Sequence, residues 1–405
     1  MAGLRWWSLG SWRWRWALAR RGLSYSTAIF DRIYRIYLNH AKVIHYRDGF
    51  PVYSLTTPAA FSKPAANFLA RALYRTIQNR NLPNLMSFAV NDICNAHCPH
   101  CSFYEGVDAK DRTVLSLDQA RKVVADAQDL GVSVINFVGG EPLLRRDLSD
   151  IIASVDKGRS CTVLFTNGWF LQERAVELRR AGLDGVYISL DASTASAHDS
   201  CRGVKGLFDR AVAGASAARR LGMSTGVSYC VTPEAYAAGE LDDVIEMSRR
   251  IGAHEVLVFD ALPTGRFQNR QDLVDNNEWV DTMIEKARPY NEAAEYPGIA
   301  FFSYMTSHRS AGCSCGTSYF YVSPYGDVMS CDFNHAVFGN VLDAALYQVW
   351  DRLSTDPDFR CAKWGGCKIK DATYRQLPTV TPARWSSAIG HIHRAGASGG
   401  VDVRV

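Results

Sequence analysis

Cys94, Cys98 and Cys101 stand at C-x3-C-x2-C spacing, and three thiolates this close together form a ligand set. Such a set suits a [4Fe–4S] cluster with one iron left without a protein ligand, an open position at which a small molecule can chelate. With His97 or His100 as fourth donor, the same thiols would make a zinc site. A second group lies far downstream, at Cys313, Cys315, Cys331, Cys361 and Cys367. Cys315 and Cys331 are related as C-x10-G-x4-C, with Tyr319-Phe320-Tyr321-Val322 and Val328-Met329-Ser330 flanking Pro324-Tyr325-Gly326-Asp327. That pattern predicts a β-hairpin, which would bring the two thiols together. Cys361 and Cys367 complete four soft ligands, for a further cluster or for a four-cysteine zinc site. Cys313 is a spare or an alternative to Cys315. Cys161 and Cys230 fall in strand-like runs and read as core, whereas Cys201, beside Arg202 on a loop, is the candidate for a thiyl or proton-donor role.

The elements that must position these residues alternate from Leu85 onward. Short β-type runs at 86–91, 133–138, 161–166, 185–190, 225–231 and 255–260 are separated by helical patterns near 116–130, 147–156, 170–181, 205–221 and 240–252, with another near 278–288. Six β-then-α units predict a parallel sheet with right-handed crossovers, curling into a partial (β/α)6 barrel rather than a closed eightfold one. Chemistry in such sheets belongs at the C-terminal strand ends. Gly139-Gly140-Glu141-Pro142 follows the second run, Thr166-Asn167-Gly168 ends the third, Ser189-Leu190-Asp191 ends the fourth, and Pro263-Thr264-Gly265-Arg266 follows the sixth. Singly these are βα turns. Together they set Gly-rich and polar loops at the same end as Cys94, Cys98 and Cys101.

On the C-x3-C-x2-C motif and the downstream GGEP loop, residues 86–375 resemble the radical SAM superfamily. The resemblance implies that Cys94, Cys98 and Cys101 hold the cluster, that His100 takes the aromatic position beside S-adenosylmethionine (SAM), and that Gly139, Gly140 and Glu141 meet the methionine ammonium. It further implies that Ser189 lies near the ribose and methionine, that Arg202 meets the carboxylate, and that the Leu262 backbone lies near the adenine. The last role comes from the likeness of Asp260–Arg266 to the adenine-contacting stretch of a GTP cyclase of molybdenum-cofactor synthesis. Reductive cleavage of SAM would yield methionine and a 5′-deoxyadenosyl radical, which abstracts hydrogen from the substrate. The C-terminal cysteines resemble the SPASM or twitch extension, implying one auxiliary [4Fe–4S] cluster on Cys315, Cys331, Cys361 and Cys367, redox-coupled chemistry, and an electron donor such as flavodoxin or ferredoxin. The expected domains are 1–85, a basic Trp/Arg-rich helical extension; 86–310, the barrel; 311–375, a small hairpin-plus-helix cluster domain; and 376–405, a tail.

Charge is split along the chain. Residues 1–85 carry 13 Lys and Arg against 2 acids, within a whole chain of net charge +4. Five tryptophans interleave with arginines before residue 17, a composition suited to an anionic lipid surface and shared in part by organelle-targeting peptides. Ile29, Ile33, Ile36, Tyr37 and Ile44, between Arg32, Arg35 and Lys42, predict a basic amphipathic helix, and a second helix is expected over 65–78. No run of eighteen uncharged apolar residues occurs, so a cytoplasmic location is expected, with peripheral membrane contact through the arm. Small-molecule, lipid and peptide substrates remain open. Modification of tRNA or another nucleic acid is an alternative, and a non-catalytic zinc-stabilised scaffold is the rival from another class.

Overall fold

Runs apolar on both faces form strands that must be covered on both sides, and the helices between them supply the cover. In the computed structural model, which describes residues 31–103, 112–270, 272–273, 277–359 and 367–370, a helix over 31–38 leads into a hairpin of β1 (His45–Arg47) and β2 (Phe50–Val52), and the helix Lys63–Gln78 follows. The barrel strands are β3 (Leu85–Ala89), β4 (Val134–Val138), β5 (Cys161–Thr166), β6 (Gly185–Ser189), β7 (Ser224–Val231) and β8 (Glu255–Asp260), all parallel neighbours in that order. These are the six runs predicted from sequence. Helix starts follow local chemistry. Ser116 and Gln119 form a reciprocal capping box ahead of Leu117–Asp129, satisfying two otherwise orphaned amides.

The sheet extends beyond six strands at both edges. A short seventh parallel strand, β9 (Gly298–Phe301), pairs with β8. On the other side β10 (Tyr319–Val322) pairs parallel with β3, and β11 (Asp327–Cys331) and β12 (Asn334–Asn340) add antiparallel, giving ten strands in one sheet. The hairpin predicted around Pro324–Asp327 is therefore not a detached module. It continues the barrel sheet across the 310/311 boundary, and the helix Leu346–Thr355 packs on it. The segment after β2 closes the strand-start end. The Leu55 N–H and the Tyr187 hydroxyl both donate to Glu255. Arg47 donates to Ser224 at 2.8 Å. Ile44 lies outside the 31–38 helix, which ends at Asn39 with φ 63°.

Candidate functional site

The loop bearing Cys94, Cys98 and Cys101 leaves β3 and is strapped by the loops that follow four other strands. After β4, the Gly140 N–H donates to Asn91 O at 3.1 Å and the Glu141 N–H to Ile93 O at 2.7 Å. A Cβ on Gly140 would lie 2.1 Å from the Ile93 carbonyl oxygen, and one on Gly139, where φ is +145°, 2.7 Å from that of Asn91. Both glycines are required by close approach of backbone to backbone. After β5, Asn167 Nδ2 donates to Asn95 Oδ1 at 2.8 Å. After β6, the Arg202 carbonyl accepts from the His97 N–H. After β8, the Arg266 N–H donates to Cys101 O at 3.1 Å and its guanidinium to Cys98 O at 3.2 Å. Ligand position is thus fixed by the sheet rather than by the loop alone.

Glu141 is fully buried. Its carboxylate accepts from Thr166 Oγ1 at 2.6 Å, the Asn167 N–H at 2.7 Å and the Leu143 N–H at 3.0 Å. Burial pushes its pKa up while those donors and Arg202 oppose the rise. The side chain ties the loops after β4 and β5 together, and this accounts for three of its acceptor sites.

Beside the cysteines lies a buried polar network that sequence reasoning reached only in part. Arg202 pairs with Asp191 at 2.6 Å, and His100 Nε2 lies 3.4 Å from the same carboxylate oxygen. The Asp191 N–H donates to His198 Nδ1 at 3.1 Å. Burial would raise the Asp191 pKa, but Arg202 and then His100 outweigh it and hold the group below its ordinary value. Burial lowers the pKa of His100, and lowers that of His198 to about 4. Cys201 joins this group, with its sulfur and ligand-type atoms of His100 and Asp191 all within 4.8 Å of one another. The guanidinium already on Asp191 fills the cation position there. The clue available in sequence was Asp191 just ahead of the short helix Ala195–Arg202 and Arg202 at its end.

Burial keeps the free thiols of the triad protonated, and nearby donors and cations oppose it. Burial pushes Cys94 up to about 12 and raises Cys98 and Cys101. Against this act the Ala96 N–H on Cys94, Arg202 on Cys98, and the Phe103 N–H, then Arg266 and Arg202, on Cys101. Arg202 thus faces Cys98 and Cys101, and Arg266 faces Cys101, charges that favour a cluster of net negative charge, and binding of iron takes the thiol protons.

The second group assembles on the continued sheet. Cys315 touches both Cys313 and Cys331, and the field of Cys313 and Cys331 reaches Cys367. The Cys313 sulfur also accepts from the Cys315 and Lys368 backbones. Cys313 therefore sits among the ligand-type thiols rather than apart from them, while Cys361 lies outside the described residues. The four described sulfurs suit one iron–sulfur cluster, beside Lys368 and Lys370. Leu262 packs against Cys367 and Ile369, and Thr264 Oγ1 donates to Phe333 O at 2.9 Å, so the loop after β8 joins the two cysteine groups. The Leu262 carbonyl already accepts from the Thr264 N–H.

A cavity of about 560 Å³ is lined by Cys94, Cys98 and Cys101 and also by Cys315 and Cys331. His100, Gly139, Gly140, Glu141, Ser189, Arg202 and Leu262 line it as well. Cys230, which its strand position assigns to the core, also lines it, whereas Cys161 is buried at the start of β5. Asp332 is a wall residue that sequence reasoning missed. It accepts from Tyr319, whose hydroxyl also bonds Ser87, and burial pushes it up to about 6.

A model of the radical SAM superfamily matches residues 89–247, and a model of the SPASM iron–sulfur cluster-binding domain matches 313–370. The chain belongs to the radical SAM superfamily. This radical SAM enzyme is 26% identical over 318 residues to the AdoMet-dependent heme synthase of Methanosarcina barkeri, covering 72% of this chain and 90% of that one. It is 28% identical over 306 residues to the PqqA peptide cyclase of Gluconobacter oxydans, covering 68% and 83%. Among solved structures, Streptococcus suis SuiB bound to S-adenosylmethionine gives a TM-score of 0.54 at 15% identity over 73% of this chain and 68% of that one. Native anSMEcpe with bound AdoMet gives 0.54 at 15% over 76% and 96%. Its cofactors are a [4Fe–4S] cluster with SAM, and auxiliary iron–sulfur in the SPASM domain. Among the described residues, no helix is long and apolar enough to cross a membrane.

Proposed function

We propose that this radical SAM enzyme abstracts hydrogen from a substrate seated between its two cysteine groups and couples that step to electron transfer through the C-terminal one. The observation that carries the reading is the shared cavity, whose lining includes Cys94, Cys98 and Cys101 together with Cys315 and Cys331. When bound, the triad's cluster and SAM supply one electron to the sulfonium and a 5′-deoxyadenosyl radical, and the auxiliary cluster supplies a place for an electron left on the substrate.

The residues do the positioning. Cys94, Cys98 and Cys101 hold the first cluster, strapped by the loops after β4, β5, β6 and β8. Gly139 and Gly140 expose backbone to the methionine end of SAM, with Glu141 beneath them. Arg202, anchored by Asp191, keeps donors for the carboxylate, since a guanidinium has five N–H groups and Asp191 cannot occupy them all. Ser189 and His100 border the same space, the latter beside Asp191. Leu262 closes the adenine side and seals against Cys367. Cys313, Cys315, Cys331 and Cys367 hold the auxiliary cluster. The relatives are named for haem synthesis and peptide cyclisation, so the substrate is read from the cavity, whose volume suits a small molecule or one chain of a larger one.

Anaerobic purification tests the reading. A brown protein carrying about eight irons, as two four-iron clusters require, that releases 5′-deoxyadenosine under dithionite supports it. A colourless zinc protein inert to SAM overturns it.

A further inference from the structure

The cavity does not end at the cysteines. It continues into an apolar lobe lined by Tyr34, Tyr37, Phe68, Leu69, Ala72 and Met305, contributed by the 31–38 helix, the Lys63–Gln78 helix and the helix Phe302–Thr306. Ile36 lines this lobe and is also 52% exposed, so the lobe reaches the surface there.

The outer surface at that point is unusual. On the Lys63–Gln78 helix, Phe68, Leu69 and Ala72 turn to the lobe, while Ala66, Ala70, Leu73, Tyr74 and Ile77 form a stripe at helical spacing on the opposite, solvent side. Leu73 is 62% exposed and Ile77 67%. A helix apolar on both faces in water calls for a second covering phase. Arg32 and Arg35 on the 31–38 helix, Lys63 at the start of the Lys63–Gln78 helix and Arg80 just past its end are exposed, within a segment that holds 13 cations and 2 acids. An apolar stripe rimmed by cations matches an anionic lipid surface, where aliphatic side chains enter the acyl boundary and guanidinium groups meet headgroup phosphates.

We propose that this face docks on an anionic lipid bilayer and that the lobe admits the hydrocarbon chain of a membrane lipid as substrate. The headgroup stays at the rim, where Arg75 also borders the lobe, and the chain runs toward the cysteine triad. The idea rests on the cavity being the reaction chamber. It fits the chemistry assigned there, because the C–H bonds of an alkyl chain carry no activating group and an apolar wall is all that can recognise them.

The test uses the full, iron-reconstituted chain with vesicles of phosphatidylcholine alone or with one quarter phosphatidylglycerol, and follows both co-sedimentation and 5′-deoxyadenosine release. The parent is expected to sediment with the anionic vesicles and to release more 5′-deoxyadenosine in their presence. The double substitution Leu73→Glu, Ile77→Glu, on exposed positions that leave the fold and vesicle-free SAM cleavage intact, should weaken sedimentation by about tenfold or more. Leu69→Trp, which fills the lobe, should leave sedimentation unchanged and remove the stimulation. The proposal is overturned if the parent stays in the supernatant, if the double variant sediments like the parent, or if the double variant alters self-association alone. Equal stimulation in Leu69→Trp overturns the lobe assignment. Absence of SAM cleavage by the parent under any condition instead marks failure of the reaction-chamber reading.

Discussion

Gly140→Ala places one methyl group where the fold has none to spare. Its Cβ would lie 2.1 Å from Ile93 O, 2.5 Å from Ile93 C and 3.1 Å from Cys94 N. All three are backbone atoms, so no rotamer relieves the contact. Ile93 must retreat by roughly 1 Å to reach an ordinary non-bonded separation, and Cys94 is the next residue. The Glu141 N–H bond to Ile93 O, 2.7 Å in the parent, stretches with it. Overpacking of this kind costs on the order of 1–3 kcal/mol, small beside the barrel's burial, so the fold and the auxiliary cluster should survive. A misplacement of ~1 Å at a reacting centre costs on the order of 10²-fold in rate. The expected result is a folded brown protein with about four irons in place of about eight, and 5′-deoxyadenosine release under dithionite down by about a hundredfold or more. Iron and sulfide analysis with single-turnover product measurement reads both. A variant with full iron and parental SAM cleavage would refute the claim that the Gly139–Glu141 loop sets the cluster-ligand position.

Asp191→Asn leaves Arg202 buried against a neutral partner and should lower stability by about 3–5 kcal/mol, as loss of one member of a buried pair does. Because Asp191 is held below its ordinary pKa, its contribution is present above the unfolded carboxylate value and disappears as pH falls through the depressed one, so parent and variant melting curves should converge in strong acid. Glu255 behaves oppositely. Burial raises it from 4.5 to about 7, so the stability it confers is complete below about pH 4.5 and is lost as pH rises through 7, and Glu255→Gln should flatten that slope in a denaturant titration. Cys313→Ala should remove about four irons while leaving the triad's cluster spectroscopically intact; retention of full iron would exclude Cys313 as a ligand. Glu141→Gln sets an amide nitrogen among donors that need acceptors, and should cost about 1–3 kcal/mol in thermal stability in addition to any change in SAM affinity measured by equilibrium dialysis.

The barrel was legible because its signals are local. Each of the six runs carries its own apolar pattern, and Ser116 with Gln119 announces a helix without reference to anything distant. The cysteine triad was legible for the same reason, its members separated by only three and two residues. The four-residue strand Gly298–Phe301 was not, being too short to show a period and fully buried. Nor was the parallel pairing of Tyr319–Val322 with Leu85–Phe88, which depends on an edge vacated by a strand more than two hundred residues earlier. Cys230 looked like core because alternation in β7 gives two faces without saying which surrounds a cavity. Cys313 could not be weighed against Cys315 from spacing, since only the folded hairpin shows that Cys315 touches both Cys313 and Cys331. His198 and Asp332 came to light only through contacts made by the folded chain.

That late strand has a consequence for the order in which the molecule can be made. On the ribosome the outer edge of Leu85–Ala89 waits for its partner until Tyr319 and the residues after it emerge, a lag of about 230 residues, or roughly 10–45 s at ordinary elongation speeds. For that interval the nascent chain offers an unpaired edge directly upstream of its three cluster thiols, a template for mispairing with other chains. The interval is also when iron–sulfur assembly factors could reach Cys94, Cys98 and Cys101 before the hairpin carrying Cys331 docks alongside. Loading the first cluster while the edge is open, and the second after it shuts, would make the closing strand a timing device for maturation as well as a structural edge.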